Sequence, residues 1–331
     1  MKKLKTAIVG LGVVGRLRKD WIEKNNNYKI IAISDTRFKN DFKKKDIFYY
    51  QDFKKILSLN LDCVFVTLPN YLAPIVTRKF LKKNISVFCE KPPGRNVTDI
   101  KNVIKVEKKS LGKLKYGFNH RYHGSVKLAK KYIQSSELGK ILNIRGLYGK
   151  SKIISYEKSD WRSKKKFAGG GILLDQGIHM LDLINFFSGP FTVYKSLVSY
   201  NFWKYDVEDD VFAIMRNKKN VMASIHSTAI QWQHRFRLEI NLEKGSLELN
   251  GILSGSKSYG RESISISKVK TKKYKNKIER KVIYFKKDYS WKEEISDFAN
   301  IIKYNKKIYS GNSNEALEVM KMVGRIYKND K

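Results

Sequence analysis

The chain is short of acid: 31 Asp and Glu stand against 68 Lys and Arg, a formal net charge of +37. It is also short of cysteine, with only Cys63 and Cys89 in 331 residues. Two thiols cannot build a disulfide framework. Both lie in apolar runs and read as buried and reduced, which suits a reducing compartment. No His/Cys group has zinc-ligand spacing, so no metal is expected. No uncharged apolar run approaches the ~18 residues that a membrane helix needs. The apolar stretch behind the basic first residues is short and broken by Gly10 and Gly12, unlike a secretion signal. The expectation is a cytoplasmic protein without a membrane partner. Internal repeats and low-complexity segments are absent as well.

The missing acid raises the question of an anionic partner. The lysines are scattered through the chain, and runs such as residues 43–45 and 164–166 stand alone. Repeated basic–aromatic platforms and helix-turn-helix or RNA-binding signatures are lacking, so no specific nucleic acid is expected. The excess reads as a bias spread over the whole composition. The functional reading it leaves is an anionic small substrate, with Arg121, Arg162 and Lys164, Lys165 and Lys166 as candidate contacts.

What is present begins with alternation. Over roughly the first 120 residues, apolar strand patterns at 4–9, 28–34, 62–67, 85–89 and 113–118 alternate with helical patterns at 13–24, 53–59, 71–83 and 97–109. Short loops join them, as in a parallel α/β sheet. Beyond Tyr122 the character changes. A helix at 126–136 and a strand at 141–148 precede a helix at 171–187, which stops at Ser188-Gly189-Pro190. Strand patterns then dominate to about residue 285, the last two bordered by lysine as on an exposed edge. Helices at 291–303 and 314–327 follow. The fold class expected is α/β: a doubly wound Rossmann domain over 1–121, then an α+β domain over 122–331 with a large, mainly antiparallel sheet. The last helix is a candidate to pack back on the first domain.

Gly10-Leu11-Gly12-Val13-Val14-Gly15 is a G-x-G-x-x-G placed where a strand ends and a helix opens. Gly10 allows the turn, Gly12 lets the backbone approach a pyrophosphate, and Gly15 lets helix and strand pack closely. The helix N-terminus adds free N–H groups. Asp35 ends the second strand, where a carboxylate accepts from ribose hydroxyls and repels a 2′-phosphate. NAD is therefore preferred over NADP, with Arg37 placed to stack on adenine or hold that phosphate. Thr67-Leu68-Pro69-Asn70 and Glu90-Lys91-Pro92-Pro93 leave carboxyl ends of later strands, where ligands bind. The double proline stiffens the second loop and is a candidate for a cis bond.

Gly169-Gly170-Gly171 precedes an apolar helix bearing Asp175 and His179, four apart on one face. Asp182, three further on, is a candidate to orient the imidazole. Spacing alone leaves catalysis and a structural Asp–His tether equally open.

With these motifs in this order, the chain resembles the Gfo/Idh/MocA oxidoreductases, the glucose–fructose oxidoreductase and inositol dehydrogenase group. The resemblance rests on residues 7–15, on Glu90-Lys91-Pro92 and on residues 170–179, and it extends over nearly the whole length. Asn119-His120-Arg121-Tyr122 and Asp160-Trp161-Arg162 resemble family segments that line the substrate pocket. The resemblance implies an NAD(P)-dependent enzyme acting on the secondary alcohol or ketone of a sugar, cyclitol or nucleotide-linked sugar. It implies His179 as general base, Lys91 on the reacting oxygen and Asp175 orienting the hydroxyl, and it implies a homo-oligomer. Many relatives carry a histidine after the Pro-Asn pair, whereas Tyr71 stands here. Two other readings on the same scaffold are a non-catalytic nucleotide sensor or basic binding protein, and a reductase of a tetrapyrrole or dihydrodiol.

Overall fold

The computed structural model describes residues 2–151, 160–254, 258–272 and 275–330. The chain divides into two compact units that interleave in sequence. The first takes Met1–Asn119, Phe167–Gly169 and Trp291–Met320; the second takes His120–Lys166, Gly170–Ser290 and Lys321–Lys331. One helix near the end therefore joins the first unit. Its Ile295, Phe298 and Ala299 are buried in one core with Ile8, Ile33, Phe65 and Phe88.

The first unit holds strands β1 (Leu4–Val9), β2 (Tyr28–Ser34), β3 (Phe42–Lys44), β4 (Ile47–Tyr50), β5 (Cys63–Val66), β6 (Ser86–Glu90) and β7 (Leu114–Gly117). Their order is β3-β4-β2-β1-β5-β6-β7. All neighbours pair in parallel except β3 with β4. β5 and β6 are buried at every position. Burial on both faces is why they read as unbroken apolar runs rather than alternating ones. Helices α1 (Val13–Glu23), α2 (Ala73–Leu81) and α3 (Val97–Glu107) connect the strands. Asn96 caps α3 by accepting from the Asp99 N–H at 3.0 Å.

The β3–β4 hairpin is not among the strands expected from the sequence. Three consecutive lysines occupy its first half and turn, which hides the pattern. Its stability comes from rings instead: Phe42 stacks on Tyr49 with centroids 4.5 Å apart. The expected helix at 53–59 is a 3₁₀ segment over Phe53–Ser58.

Both thiols are buried, and burial pushes each up to about 12. Nearby, α1 turns a charged residue inward. Arg18 is wholly buried between the rings of Phe88 and Trp291, at 4.4 and 4.3 Å. It donates to Glu90 at 2.5 Å and to Glu294 at 2.6 Å. Burial disfavours its charge, but the two carboxylates more than offset this and raise its pKa. Burial also lifts the Glu294 carboxyl to about 7, with Arg18 pulling it down and Glu90 pushing it up.

The second unit is built on β8 (Ile141–Ser151), β9 (Phe191–Ser199), β10 (Asp210–Asn217), β11 (Met222–Gln231), β12 (Arg235–Leu242), β13 (Gly245–Asn250), β14 (Glu262–Lys272) and β15 (Lys275–Phe285). The order is β15-β14-β13-β12-β8-β11-β10-β9, antiparallel apart from β8 with β11. Along β10 and β12, buried residues alternate with more accessible ones, the period-2 signature of a sheet covered on one face. β15 lies at one edge, as its lysines led us to expect, whereas β14, for which the same was expected, is paired on both sides by β13 and β15. Helices α4 (Gly124–Ser135), α5 (Lys165–Ala168), α6 (Ile178–Ser188), α7 (Ser290–Lys303) and α8 (Ser313–Lys328) complete the chain. Among the described residues no helix is long and apolar enough to cross a membrane, and no cluster of His, Cys, Asp and Glu is placed to hold a metal ion.

Two outcomes are expected. A colorimetric thiol reagent at pH 8 leaves both cysteines of the native protein unmodified and titrates both after denaturation; rapid native reaction would contradict their burial. Arg18→Leu leaves two buried carboxylates without a cation and lowers the unfolding free energy by about 3–5 kcal/mol in denaturant titration. Adding Glu294→Gln to that variant recovers part of the loss.

Candidate active site

In the first unit β1 runs into the glycine turn, and the turn is pinned from three sides. Gly10 adopts φ +94°, and its N–H donates to the Ser34 carbonyl at 2.8 Å. The Thr67 hydroxyl donates to the Gly10 carbonyl at 2.5 Å. A Cβ on Gly15 would stand 2.1 Å from the Gly10 carbonyl oxygen, so only glycine lets α1 start this close to β1. Gly12 differs: a Cβ there would meet nothing within 4 Å. It faces open space at the N-terminus of a helix that has no side-chain cap and no acid in its first turn. Unused backbone donors beside an open cradle fit the pyrophosphate of a dinucleotide. Leu11, Val13 and Val14 complete this turn, with Val13 largely exposed.

Asp35 holds the same turn. It accepts from the Leu11 N–H at 2.6 Å and from Arg37 Nε and Nη2 at 2.7 and 2.9 Å. Arg37 reaches on to the Leu11 carbonyl at 2.7 Å. Burial works against the ionised form of Asp35, but the hydrogen bonds from Arg37 and from the Leu11 amide win and hold its pKa at about 2. The carboxylate is thus a fixed negative charge beside Gly12's turn, with Arg37 committed to it.

The other predicted cofactor contacts have mixed placements. Asn70 is buried and donates to the Ala168 carbonyl at 2.7 Å. The Pro69 carbonyl receives the N–H groups of Leu72 and Ala73 and so starts α2, with Leu68 half-buried just before it. Tyr71, which follows Asn70, packs its ring against Phe167 at 5.0 Å. Glu90 was expected at the cofactor; its carboxylate is buried and taken by Arg18. Lys91 is half-buried and is joined to Pro92 by a cis peptide bond.

In the second unit the predicted helix is not uniform. Leu173–Gly177 forms a π turn before α6 begins at Ile178. Asp175 lies in the π turn and His179 in the α-helix, so the simple four-residue offset expected of one α-helix does not describe the pair. π turns commonly mark functional positions. The start of this helix is anchored by Glu208, which the sequence reading did not single out. Its carboxylate accepts from the N–H groups of Gly171 at 2.6 Å and Leu173 at 3.0 Å, and from the Tyr327 hydroxyl at 2.8 Å. Burial raises the Glu208 pKa in spite of those bonds.

Asp182 meets Arg121 through both carboxylate oxygens, at 2.8 and 2.5 Å, with both side chains buried. The pair tethers α6 to the segment that follows β7. His179 stacks on His120, centroids 3.7 Å apart and planes 12° from parallel. His120 Nε2 lies 3.0 Å from the Tyr148 hydroxyl. His120 was legible only as a member of the quoted Asn119–Tyr122 segment, where Asn119 is buried and Tyr122 half-buried. Asp160 caps the turn of Trp161 and Arg162; Arg162 pairs with Asp160 at 3.4 Å and lies over the Trp161 ring. Lys164, Lys165 and Lys166 are exposed.

Residues 4–118 match the family described as "Oxidoreductase family, NAD-binding Rossmann fold", and residues 126–248 match the "GFO/IDH/MocA C-terminal domain". The chain belongs to the Gfo/Idh/MocA oxidoreductases. Within this family it is similar to levoglucosan dehydrogenase of Pseudarthrobacter phenanthrenivorans, 25% identical over 58% of this chain and 56% of that one. It is also similar to glucose-6-phosphate 3-dehydrogenase of Bacillus subtilis, 27% identical over 56% of this chain and 53% of that one. The matched stretches thus span about half the length of these curated relatives. Among solved structures, the WlbA dehydrogenase of Bordetella pertussis in complex with NADH and UDP-GlcNAcA shares the fold, with a TM-score of 0.80 at 18% identity over 99% of this chain and 96% of that one.

Asp35→Asn is expected to weaken the turn by roughly 1–2 kcal/mol at pH 7, read from denaturant midpoints. Because the folded pKa is depressed, the wild-type advantage is complete above about pH 4 and shrinks as pH falls toward about 2. An advantage independent of pH over that window would show that the carboxylate's charge is not what holds the loop.

Proposed function

We propose that this chain is a cytoplasmic NAD-dependent oxidoreductase that acts on the secondary alcohol or ketone of a sugar-type substrate. The observation that carries the reading is the fixed imidazole of His179, buried and stacked on His120 at the start of a helix anchored at both Glu208 and Asp182. A base held in one orientation needs no reorganisation when it takes a proton. The relatives' names, which refer to levoglucosan and to glucose 6-phosphate, support a sugar-type substrate.

Gly10, Gly12 and Gly15 hold the pyrophosphate against the α1 N-terminus, with Leu11, Val13 and Val14 shaping the turn. Asp35 accepts from the ribose hydroxyls, and its fixed charge disfavours a 2′-phosphate, so NAD is preferred over NADP. Thr67, Leu68, Pro69 and Asn70 form a second wall of the cofactor site. When bound, the nicotinamide supplies hydride transfer. His179 removes the hydroxyl proton in oxidation and returns it in reduction. Lys91 donates to the reacting oxygen and stabilises its developing negative charge. Asp175 orients the hydroxyl and supports the positive charge that passes to His179. Asn119, Tyr122, Trp161 and Arg162 contribute to the substrate pocket.

We further propose a homo-oligomer formed through the second sheet. On its uncovered face Leu197, Phe212, Ile214 and Met222 are each at least half exposed on adjacent strands, a contiguous apolar surface of the kind partners cover.

The test is turnover with NAD and NADP in parallel on a panel of sugars, followed at the nicotinamide absorbance. His179→Ala and Lys91→Ala are each expected to lower kcat by about 100-fold or more at neutral pH. The Kd for NADH should stay within about twofold for His179→Ala. Wild-type turnover by His179→Ala would refute the base assignment.

A further inference from the structure

The entry to the helix of Asp175 and His179 is held by one residue of the second unit. Glu208 accepts from the Gly171 N–H through Oε2 at 2.6 Å and from the Leu173 N–H through Oε1 at 3.0 Å. Its own carbonyl accepts from the Ile172 N–H between them at 3.1 Å. Three consecutive donors that a helix start leaves unpaired thus go to a single residue. The Ser227 hydroxyl donates to the Ile172 carbonyl at 3.2 Å and holds the same segment from β11.

Two glycines permit this approach. A Cβ on Gly171 would stand 2.0 Å from the Glu208 carbonyl oxygen, and one on Gly170 would stand 2.0 Å from the Tyr327 hydroxyl. Tyr327 lies in the last turn of α8 and donates to Glu208 Oε1 at 2.8 Å. That turn is docked on β9, the edge strand of the second sheet. The Ser196 hydroxyl donates to the Ile326 carbonyl at 2.6 Å, Arg325 donates to the Phe191 carbonyl at 2.7 Å, and Asp330 accepts from the Val198 N–H at 2.9 Å. The end of α8 is therefore fixed against the sheet and reaches the helix entry through Glu208.

What this clamp controls is register. Leu173–Gly177 is a π turn, one residue wider than the turns of α6 that follow it. Expelling the extra residue would rotate one side of the turn against the other by about 100° around the helix axis. Asp175 lies inside the turn and His179 beyond it, so their mutual orientation depends on the extra residue staying in place. Beyond the turn, Asp182 ties α6 to Arg121. Ahead of it, Glu208 fixes the entry. With both ends held, the turn cannot unwind into a regular α-helix.

We infer that Glu208 and Tyr327 are positioning residues for the Asp175–His179 pair: they keep the π turn in register and so set where Asp175 points relative to the imidazole. The inference rests on the dehydrogenase reading for what the pair does, and on the hydrogen bonds alone for how the pair is held. It also gives Gly170 and Gly171 a role of their own, as the places where the clamp meets the backbone.

The test compares Glu208→Gln and Tyr327→Phe with Ser196→Ala in the full chain. Ser196→Ala removes a neighbouring contact of the same α8 turn and leaves the clamp intact. Two readouts are taken: the NMR signals of the His179 ring, assigned by their loss in His179→Ala, and kcat and KM with NAD on a panel of sugars. In both clamp variants the His179 signals are expected to shift. The kcat should fall about tenfold in Glu208→Gln and about threefold in Tyr327→Phe, with KM and the Kd for NADH within about twofold. Ser196→Ala should leave signals and kcat at wild-type values. Unmoved His179 signals in both clamp variants, or the same response to Ser196→Ala, overturns the inference. Shifted signals in a protein that oxidises no sugar would uphold the clamp and refute the dehydrogenase reading. Sugar turnover with kcat unchanged in both clamp variants would refute the clamp and leave the dehydrogenase reading standing.

Discussion

The first unit is organised around one buried cation. Arg18 sits on α1, one turn beyond the glycine loop, and its guanidinium meets Glu90 at the end of β6 and Glu294 on α7. Those contacts fix three things together: the helix whose N-terminus faces the nucleotide cradle, the strand that delivers Lys91, and the late helix that fills the core. Charge at this depth is tolerable because both carboxylates and two aromatic faces surround it. An apolar residue could pack there, but it would not specify which carboxylate-bearing elements meet.

The second unit repeats the device at smaller scale. Arg121 and Asp182 join the segment after β7 to the body of α6, while Glu208 ties down the glycine-rich entry to its π turn. The helix that carries His179 is thus held by a charge pair and by backbone capping, and its imidazole is stacked on the His120 ring. None of these three supports needs to touch a substrate, yet each bears on where the base points.

Much of this was legible in the sequence where local chemistry is restrictive. Gly10, Gly12 and Gly15 could be assigned because each answers a separate steric demand, and the parallel strands could be read because full burial leaves continuous apolar runs. Contacts between distant segments were not legible. Asp182 shares a helix with His179, so spacing suggested that pairing; its ion pair with Arg121, 61 residues away, left no such trace. Arg18 left a fainter trace: it falls with Gly15 and Ile22 on the buried stripe of α1, a charge where an apolar residue was due. The β3–β4 hairpin was lost because its lysines obscure alternation, and the π turn because hydrophobic pattern does not distinguish it from an α-helix.

The contribution of α7 to the first unit has a consequence for how the chain acquires its structure. Ile295, Phe298 and Ala299 complete a core whose other buried members lie in the first 90 residues, and Glu294 beside them takes Arg18. During synthesis the nucleotide-binding sheet emerges long before them, and it must wait, with Arg18 only half neutralised and Phe65 and Phe88 uncovered, until the whole second sheet has been made. Closing a gap of that length is entropically slow. The early half is therefore the part of the nascent chain most in need of protection from aggregation, and the last helices act as its latch.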